Sequence, residues 1–290
     1  MQRKDSEWFD RMYNNRARVP ETPHILRTWA ERSARVRQSV TTDLDVRYGS
    51  HASETLDVFP SRVADAPVLV FLHGGYWRAL DKADHSFLAP PFVEQGACVV
   101  IPNYALCPGK DTDKVTVPRI VMQMVAALNW VWRHIRRYGG NPGDITVMGH
   151  SAGGQLAAMM LACNWQQVDA DLPVQLVQKA LSISGVYDLE PIRHVPSLPE
   201  LKLTAEDARR CSPAAFSAPR NGLLYSVAGG DESEEFLRQN RLIQQRWGRR
   251  RVPVSAVLPG LHHFSVLESL IEDGSSLNTM AGQLMKRAVP

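Results

Sequence analysis

Cysteine is scarce in this chain: Cys98, Cys107, Cys163 and Cys211 are the four present in 290 residues. No two form a C-x-x-C pair and each falls in a different expected element, which argues against a zinc site or redox couple, so they are read as reduced thiols. Long apolar runs are missing too, and none approaches the ~20 residues that span a bilayer. The opening Met1-Gln2-Arg3-Lys4-Asp5-Ser6-Glu7 has no apolar stretch behind its basic residues to serve as the core of a secretory leader. Nor is one charge in excess: 33 basic against 30 acidic residues leave a net +3, too balanced for a strong field toward nucleic acid or anionic lipid. There is no H-E-x-x-H, no Walker loop and no G-x-G-x-x-G after the first strands, so metal and nucleotide chemistry drop away. These absences leave a cytoplasmic protein acting on a small molecule, with no cofactor and no nucleic-acid or membrane partner; a homodimer is left open.

What is present suits one sizeable core. Hydrophobic residues at 44% and charged residues at 22% can build it without a metal or disulfide staple. The length fits one α/β domain with a modest cap. Residues 1 to about 40 are polar and Arg-rich, with Trp8, Tyr13, Ile25, Leu26 and Trp29 spaced as on amphipathic helices. They predict a helical arm, either packed on the domain or forming part of a lid. Short β-rich runs follow at 44–48, 55–59, 68–72, 98–101, 145–148, 180–183, 223–227 and 252–257. Helices are expected at 118–137, 152–163, 234–247 and the C-terminus. Such alternation predicts a mainly parallel sheet with helices on both faces, because parallel strands need crossover connections. Between 185 and 219 the period is lost and Pro191, Pro196, Pro199, Pro213 and Pro219 break any long helix. That segment reads as a cap over the strand tips within the domain 41–290, where open α/β sheets bind their ligands.

Two motifs carry chemistry. Gly149-His150-Ser151-Ala152-Gly153 matches G-x-S-x-G directly after an expected strand and before an expected helix. The turn is so sharp that the flanking residues must be tiny, and it thrusts the serine hydroxyl out at the helix N-terminus, so Ser151 is the candidate nucleophile. His73-Gly74-Gly75-Tyr76-Trp77 follows the buried run 68–72. Esterases place an H-G-G-G loop there, and its amides, with that of the residue after the nucleophile, bind the tetrahedral oxyanion. Gly75, Tyr76 and Ala152 are the expected donors, each worth ~3 kcal/mol in acyl transfer.

A serine hydroxyl needs a base held by an acid, and on this arrangement they follow in the order Ser, Asp/Glu, His. Asp231, in Ala228-Gly229-Gly230-Asp231-Glu232 after the strand 223–227, is the expected acid. The loop Pro259-Gly260-Leu261-His262-His263-Phe264 supplies the base, with His263 favoured over His262. Tyr76 and Trp77 are the expected substrate-binding residues and should crowd the acyl side. The competing arrangement has Trp77 turned away beneath the loop, leaving Tyr76 alone at the site.

These residues resemble the kynurenine formamidase (arylformamidase) branch of the α/β-hydrolases, near the hormone-sensitive-lipase-like esterases. The likeness rests on the H-G-G-x-W loop and on Gly149 to Ala157. It also rests on Ser184-Gly185-Val186-Tyr187-Asp188-Leu189-Glu190-Pro191-Ile192, on His263-Phe264, and on Tyr13-Asn14-Asn15-Arg16. The resemblance implies an α/β-hydrolase fold and cofactor-free hydrolysis of an N-formyl aryl amide to formate and an aromatic amine. Its triad maps onto Ser151, Asp231 and His263. Carboxylesterases of short acyl esters share the motifs and form the alternative.

Overall fold

A computed structural model of the chain describes residues 5–286. Residues 1–4, which belong to the opening stretch that carries the leader and arm expectations, and residues 287–290 lie outside them. Besides a short hairpin that pairs Gly109–Lys110 with Asp113–Lys114, the described residues hold eight strands: β1 (Asp43–Arg47), β2 (Thr55–Phe59), β3 (Ala66–Leu72), β4 (Cys98–Pro102), β5 (Gly140–His150), β6 (Lys179–Ile183), β7 (Leu223–Gly229) and β8 (Val254–Leu258). They form one sheet in the order β1-β2-β4-β3-β5-β6-β7-β8. The β1/β2 and β2/β4 pairings are antiparallel. Every other pairing in this sheet is parallel.

The continuous apolar run in β3 follows from burial on both faces. Val68, Val70 and Leu72 join one core with α5 (Val117–His134) and α6 (Ala152–Ala162). Leu69 and Phe71 join the other with Trp29, Phe92 and the C-terminal helix Ser276–Lys286. Each such side chain withdrawn from water contributes about 1.5–3 kcal/mol. α5 begins at its cap, where the Thr116 hydroxyl accepts from the Arg119 amide, with Pro118 in the first turn. Its α-helical part ends at His134, three residues before the expected end, and tightens into a 3₁₀ turn closed by Gly139 in the left-handed region. The helix Glu234–Arg251 is kinked at Gly248, one residue past the expected end, where φ is 75°.

Three helices, α1 (Ser6–Tyr13), α2 (Asn15–Arg18) and α3 (Thr22–Ser39), occupy the N-terminal segment. They are tied down by long-range bonds. The Tyr13 hydroxyl donates to Glu235 Oε2 at 2.8 Å, the Trp29 indole to Glu268 Oε1 at 2.9 Å, and the Ser233 hydroxyl to the Met12 carbonyl at 2.5 Å. Within 185–219 the prolines leave short 3₁₀ turns at Pro191–His194, Pro199–Leu201 and Pro213–Ala215, and one six-residue helix, Ala205–Arg210. Arm and cap meet above the C-terminal ends of the strands.

Candidate active site

Ser151 stands between the last residue of β5 and the first of α6, with φ 56° and ψ −116°, a left-handed conformation costly for a non-glycine residue. Its amide donates to the Ile183 carbonyl at 2.8 Å, which holds the turn from the neighbouring strand. The glycines of the motif are required by close approach. A Cβ on Gly153 would lie 1.9 Å from the Leu72 carbonyl oxygen, and one on Gly149 would lie 2.1 Å from that of Gly153. His150 is buried beside the serine, and its Nε2 lies 2.7 Å from the His263 carbonyl oxygen. Burial holds this imidazole well below its ordinary titration range, so it is neutral and Nε2–H donates.

His263 is 5% exposed. Its Nδ1 lies 2.6 Å from Glu232 Oε2. The other oxygen of that carboxylate, Oε1, accepts from the Ser184 hydroxyl at 2.5 Å and from the Gly229 amide at 2.7 Å. Ser184 is itself left-handed, at φ 52°. The sequence reading expected Asp231 in this position; the structure brings Glu232 against His263 instead, while Asp231 is exposed and its carboxylate makes no hydrogen bond or ion pair among the described residues. The cause is the turn that follows β7. The Glu232 amide bonds back to the Gly229 carbonyl and the Asp231 amide to the Leu261 carbonyl. Residue 232 is thereby aimed at the histidine loop and residue 231 at solvent. Of the two adjacent histidines, His263 reaches this carboxylate. His262 accepts the Phe264 and Ser265 amides at its Nδ1, both at 3.2 Å, and so braces the turn that leads into the short helix Ser265–Glu268.

The His73–Trp77 loop abuts the serine turn: a Cβ on Gly74 would lie 3.2 Å from that of Ser151. Gly75 has φ 102°, and a Cβ there would strike the Ala79 carbonyl at 2.1 Å, so only glycine fits. The Tyr104 hydroxyl lies 2.9 Å from the His73 carbonyl oxygen and 3.2 Å from that of Gly74, fixing the loop from below. The Gly75 and Tyr76 amides have no acceptor among the described residues. The Ala152 amide, at the first position of α6, lacks an intrahelical acceptor.

Trp77 departs from the sequence expectation. Its side chain is 0% exposed, its indole N–H donates to Gln155 Oε1 at 3.1 Å, and it does not line the cavity at Ser151. Gln155 in turn donates to the Cys211 carbonyl at 2.8 Å, so the indole serves to knit loop, α6 and cap together. Tyr76 does line the cavity, and its hydroxyl donates to the Tyr13 carbonyl at 2.6 Å. Burial pushes that phenol well above its usual range, leaving it a neutral donor.

One cavity gathers Ser151, His150, His263, Gly75 and Tyr76 with Trp29, Leu26 and Phe264, the cap residues Ser197 and Leu198, and the arm residues Tyr13 to Arg16. Glu232, Ser184 and this contribution of the arm escape sequence reasoning. The Glu beside Asp231 and the Tyr13-Asn14-Asn15-Arg16 segment were the available signals. The four cysteines are unpaired thiols. Burial pushes Cys98, Cys107 and Cys211 up to about 12 and Cys163 to about 11. Among the described residues no group of three or more His, Cys, Asp or Glu could hold a metal ion.

A buried strand, a left-handed serine before a helix, free loop amides and a histidine backed by a carboxylate define a hydrolase of the α/β-hydrolase superfamily. The carboxylesterase family model matches residues 32–194. Within that superfamily the chain belongs to the kynurenine formamidase family. It is 32% identical to the kynurenine formamidase of Danio rerio, over 97% of this chain and 93% of that one. The Salmo salar kynurenine formamidase is 32% identical over 89% and 87% of the two chains. Among solved structures, a candidate thioesterase from Silicibacter sp. TM1040 superposes with a TM-score of 0.81 at 28% identity, covering 93% of this chain and 97% of that one.

Proposed function

We propose that this chain hydrolyses an N-formyl aryl amide, releasing formate and an aromatic amine. The observation that carries the reading is that Ser151 and His263 line one cavity with the unpartnered Gly75 and Tyr76 amides, while Glu232 holds the far side of the imidazole. In the reading, Ser151 Oγ attacks the formyl carbon as His263 Nε2 takes its proton. The Glu232 carboxylate orients Nδ1–H and stabilises the imidazolium. The oxygen that becomes negative is met by the amides of Gly75, Tyr76 and Ala152. His263 then returns the proton to the amine nitrogen as the C–N bond breaks, leaving a formyl ester on Ser151. Water, deprotonated by the same histidine, cleaves that ester to formate and restores the hydroxyl.

The apolar wall of Trp29, Leu26, Leu80, Leu198 and Phe264 suits an aromatic ring on the amine side. The named relatives from Danio rerio and Salmo salar support the formamide over other acyl compounds. The match to the carboxylesterase family model favours one second reading, hydrolysis of short acyl esters on the same residues. Parallel kcat/KM measurements on N-formylkynurenine and a short p-nitrophenyl ester separate the two. The formamidase reading expects the formamide to be preferred, and a large preference for the ester would replace it. No helix among the described residues is long and apolar enough to cross a membrane. A cytoplasmic site of action accompanies the proposal.

A further inference from the structure

His150 lines the cavity beside Ser151 and takes no part in the proton transfers between Ser151 and His263. Its Nε2 lies 2.7 Å from the His263 carbonyl oxygen, and because a carbonyl only accepts, Nε2 carries the hydrogen. The ring is neutral, so its second nitrogen, Nδ1, presents a bare lone pair. That nitrogen has no hydrogen-bond partner among the described residues. Nor is it one of the fully buried, unpaired polar atoms, so the 3% of its surface that His150 keeps includes this nitrogen, which opens on the cavity at Ser151. Nδ1 and the Ser151 Cβ lie 3.3 and 3.2 Å from one point, the place a Cβ on Gly74 would occupy. The lone pair therefore stands where the nucleophile meets the oxyanion loop. No Asp or Glu lines the cavity to offer a carboxylate acceptor in its stead.

We propose that His150 Nδ1 accepts the N–H of the scissile amide and so makes this site selective for amides over esters. This rests on the aryl-formamide reading and assigns its selectivity to one atom. When Ser151 Oγ bonds to the formyl carbon, the carbonyl π pair moves to the oxygen held by the loop amides, and the planar amide nitrogen turns pyramidal. Its new lone pair has to face the proton on His263 Nε2, which it takes as the C–N bond breaks. The N–H it already carries is thereby turned away from His263 and, out of water, needs an acceptor of its own. An ester oxygen carries no hydrogen and gains nothing from that lone pair. The hydrogen bond forms as the nitrogen changes shape, so it lowers the barrier more than it tightens binding. Because Nε2–H is anchored on the His263 carbonyl, the acceptor is fixed relative to the base.

Formanilide and phenyl formate share the formyl group and the ring and differ in N–H against O. Their kcat/KM ratio is measured in wild type, His150→Gln and His150→Phe. His150→Gln keeps a donor of comparable reach for the His263 carbonyl and lacks the Nδ1 lone pair, and His150→Phe lacks both. The formamide-to-ester ratio should fall about tenfold or more in each variant, chiefly in kcat. Equal losses on the two substrates, which a residue that only positions His263 would give, overturn the inference. Wild-type enzyme supplies a reading that needs no variant. N-methylformanilide has no N–H and should be cleaved about tenfold or more slowly than formanilide, and equal rates overturn the inference as well. If formanilide yields no formate while p-nitrophenyl acetate is hydrolysed, the aryl-formamide reading is what has failed. The ratio is then taken on p-nitroacetanilide against p-nitrophenyl acetate. A fall in His150→Gln upholds the role of Nδ1, and an unchanged ratio, or no cleavage of either amide, overturns it.

Discussion

Glu232 Oε2 lies 2.6 Å from His263 Nδ1, and both side chains are buried. The carboxylate one residue earlier, Asp231, faces solvent. Glu232→Gln puts an amide where the imidazole needs an acceptor and disturbs the tautomer, so kcat should fall by roughly 10³–10⁴. Asp231→Asn should stay within about threefold of wild type, as exposed substitutions do. Steady-state kinetics of the pair on one substrate checks this, and a reversed order would return the acid to Asp231.

Ser184 positions that acid, because its hydroxyl supplies one of two hydrogen bonds to Glu232 Oε1. Ser184→Ala should lower kcat by roughly tenfold with little change in KM, the size of one charge-assisted hydrogen bond. Ser184→Gly relieves the left-handed backbone at φ 52° while also lacking the hydroxyl. It should show the same kcat loss without the same loss of stability. Wild-type kcat in both variants would leave Ser184 with a purely structural place.

Acid should destabilise the fold before most carboxylates titrate. Burial lowers His85 from 6.5 to about 3, and His150 is likewise held well below its ordinary range. In the folded protein both rings stay neutral as pH drops, while in the unfolded chain they take up a proton. Stability is therefore complete above the ordinary histidine value and is lost as pH falls below it, at about 1.4 kcal/mol per pH unit for each ring. Urea unfolding at pH 7, 6 and 5 should show that decline. A flat profile would mean the rings are not held neutral.

Of the two residues expected to crowd the acyl side, Tyr76 lines the cavity at Ser151 and Trp77 is turned into the core. The Tyr76 ring is pinned through its hydroxyl to the Tyr13 carbonyl and cannot swing aside freely. Across p-nitrophenyl esters from formyl to octanoyl, kcat/KM should fall with chain length, each methylene in a tight pocket costing ~1–3 kcal/mol. Octanoyl turning over faster than acetyl would reveal an open acyl pocket and favour a lipase-like esterase.

Much of this geometry is legible in the chain because close approach leaves few residues to choose from. Gly149, Gly153 and Gly75 each sit where a Cβ would strike backbone, and Val68 to Leu72 is apolar throughout because both of its faces are covered. Asp231 against Glu232 is a different kind of question. Both are carboxylates at one strand tip, and the choice is made by a single turn at Gly229 that leaves no compositional trace. The direction of Trp77 depends on Gln155, 78 positions later, and the docking of Tyr13 on Glu235, 222 positions later. Contacts that distant have no local pattern, so the arm's place in the cavity wall emerges only in three dimensions.

Formate release from an N-formyl aryl amide, measured side by side for wild type and Ser151→Ala, tests the central claim most directly. The wild-type enzyme should yield one formate per amine, and Ser151→Ala should lower kcat by about four orders of magnitude or more, with its folding intact by circular dichroism. More than a tenth of the activity surviving in Ser151→Ala, or no formate from a wild-type enzyme that hydrolyses esters readily, would contradict it.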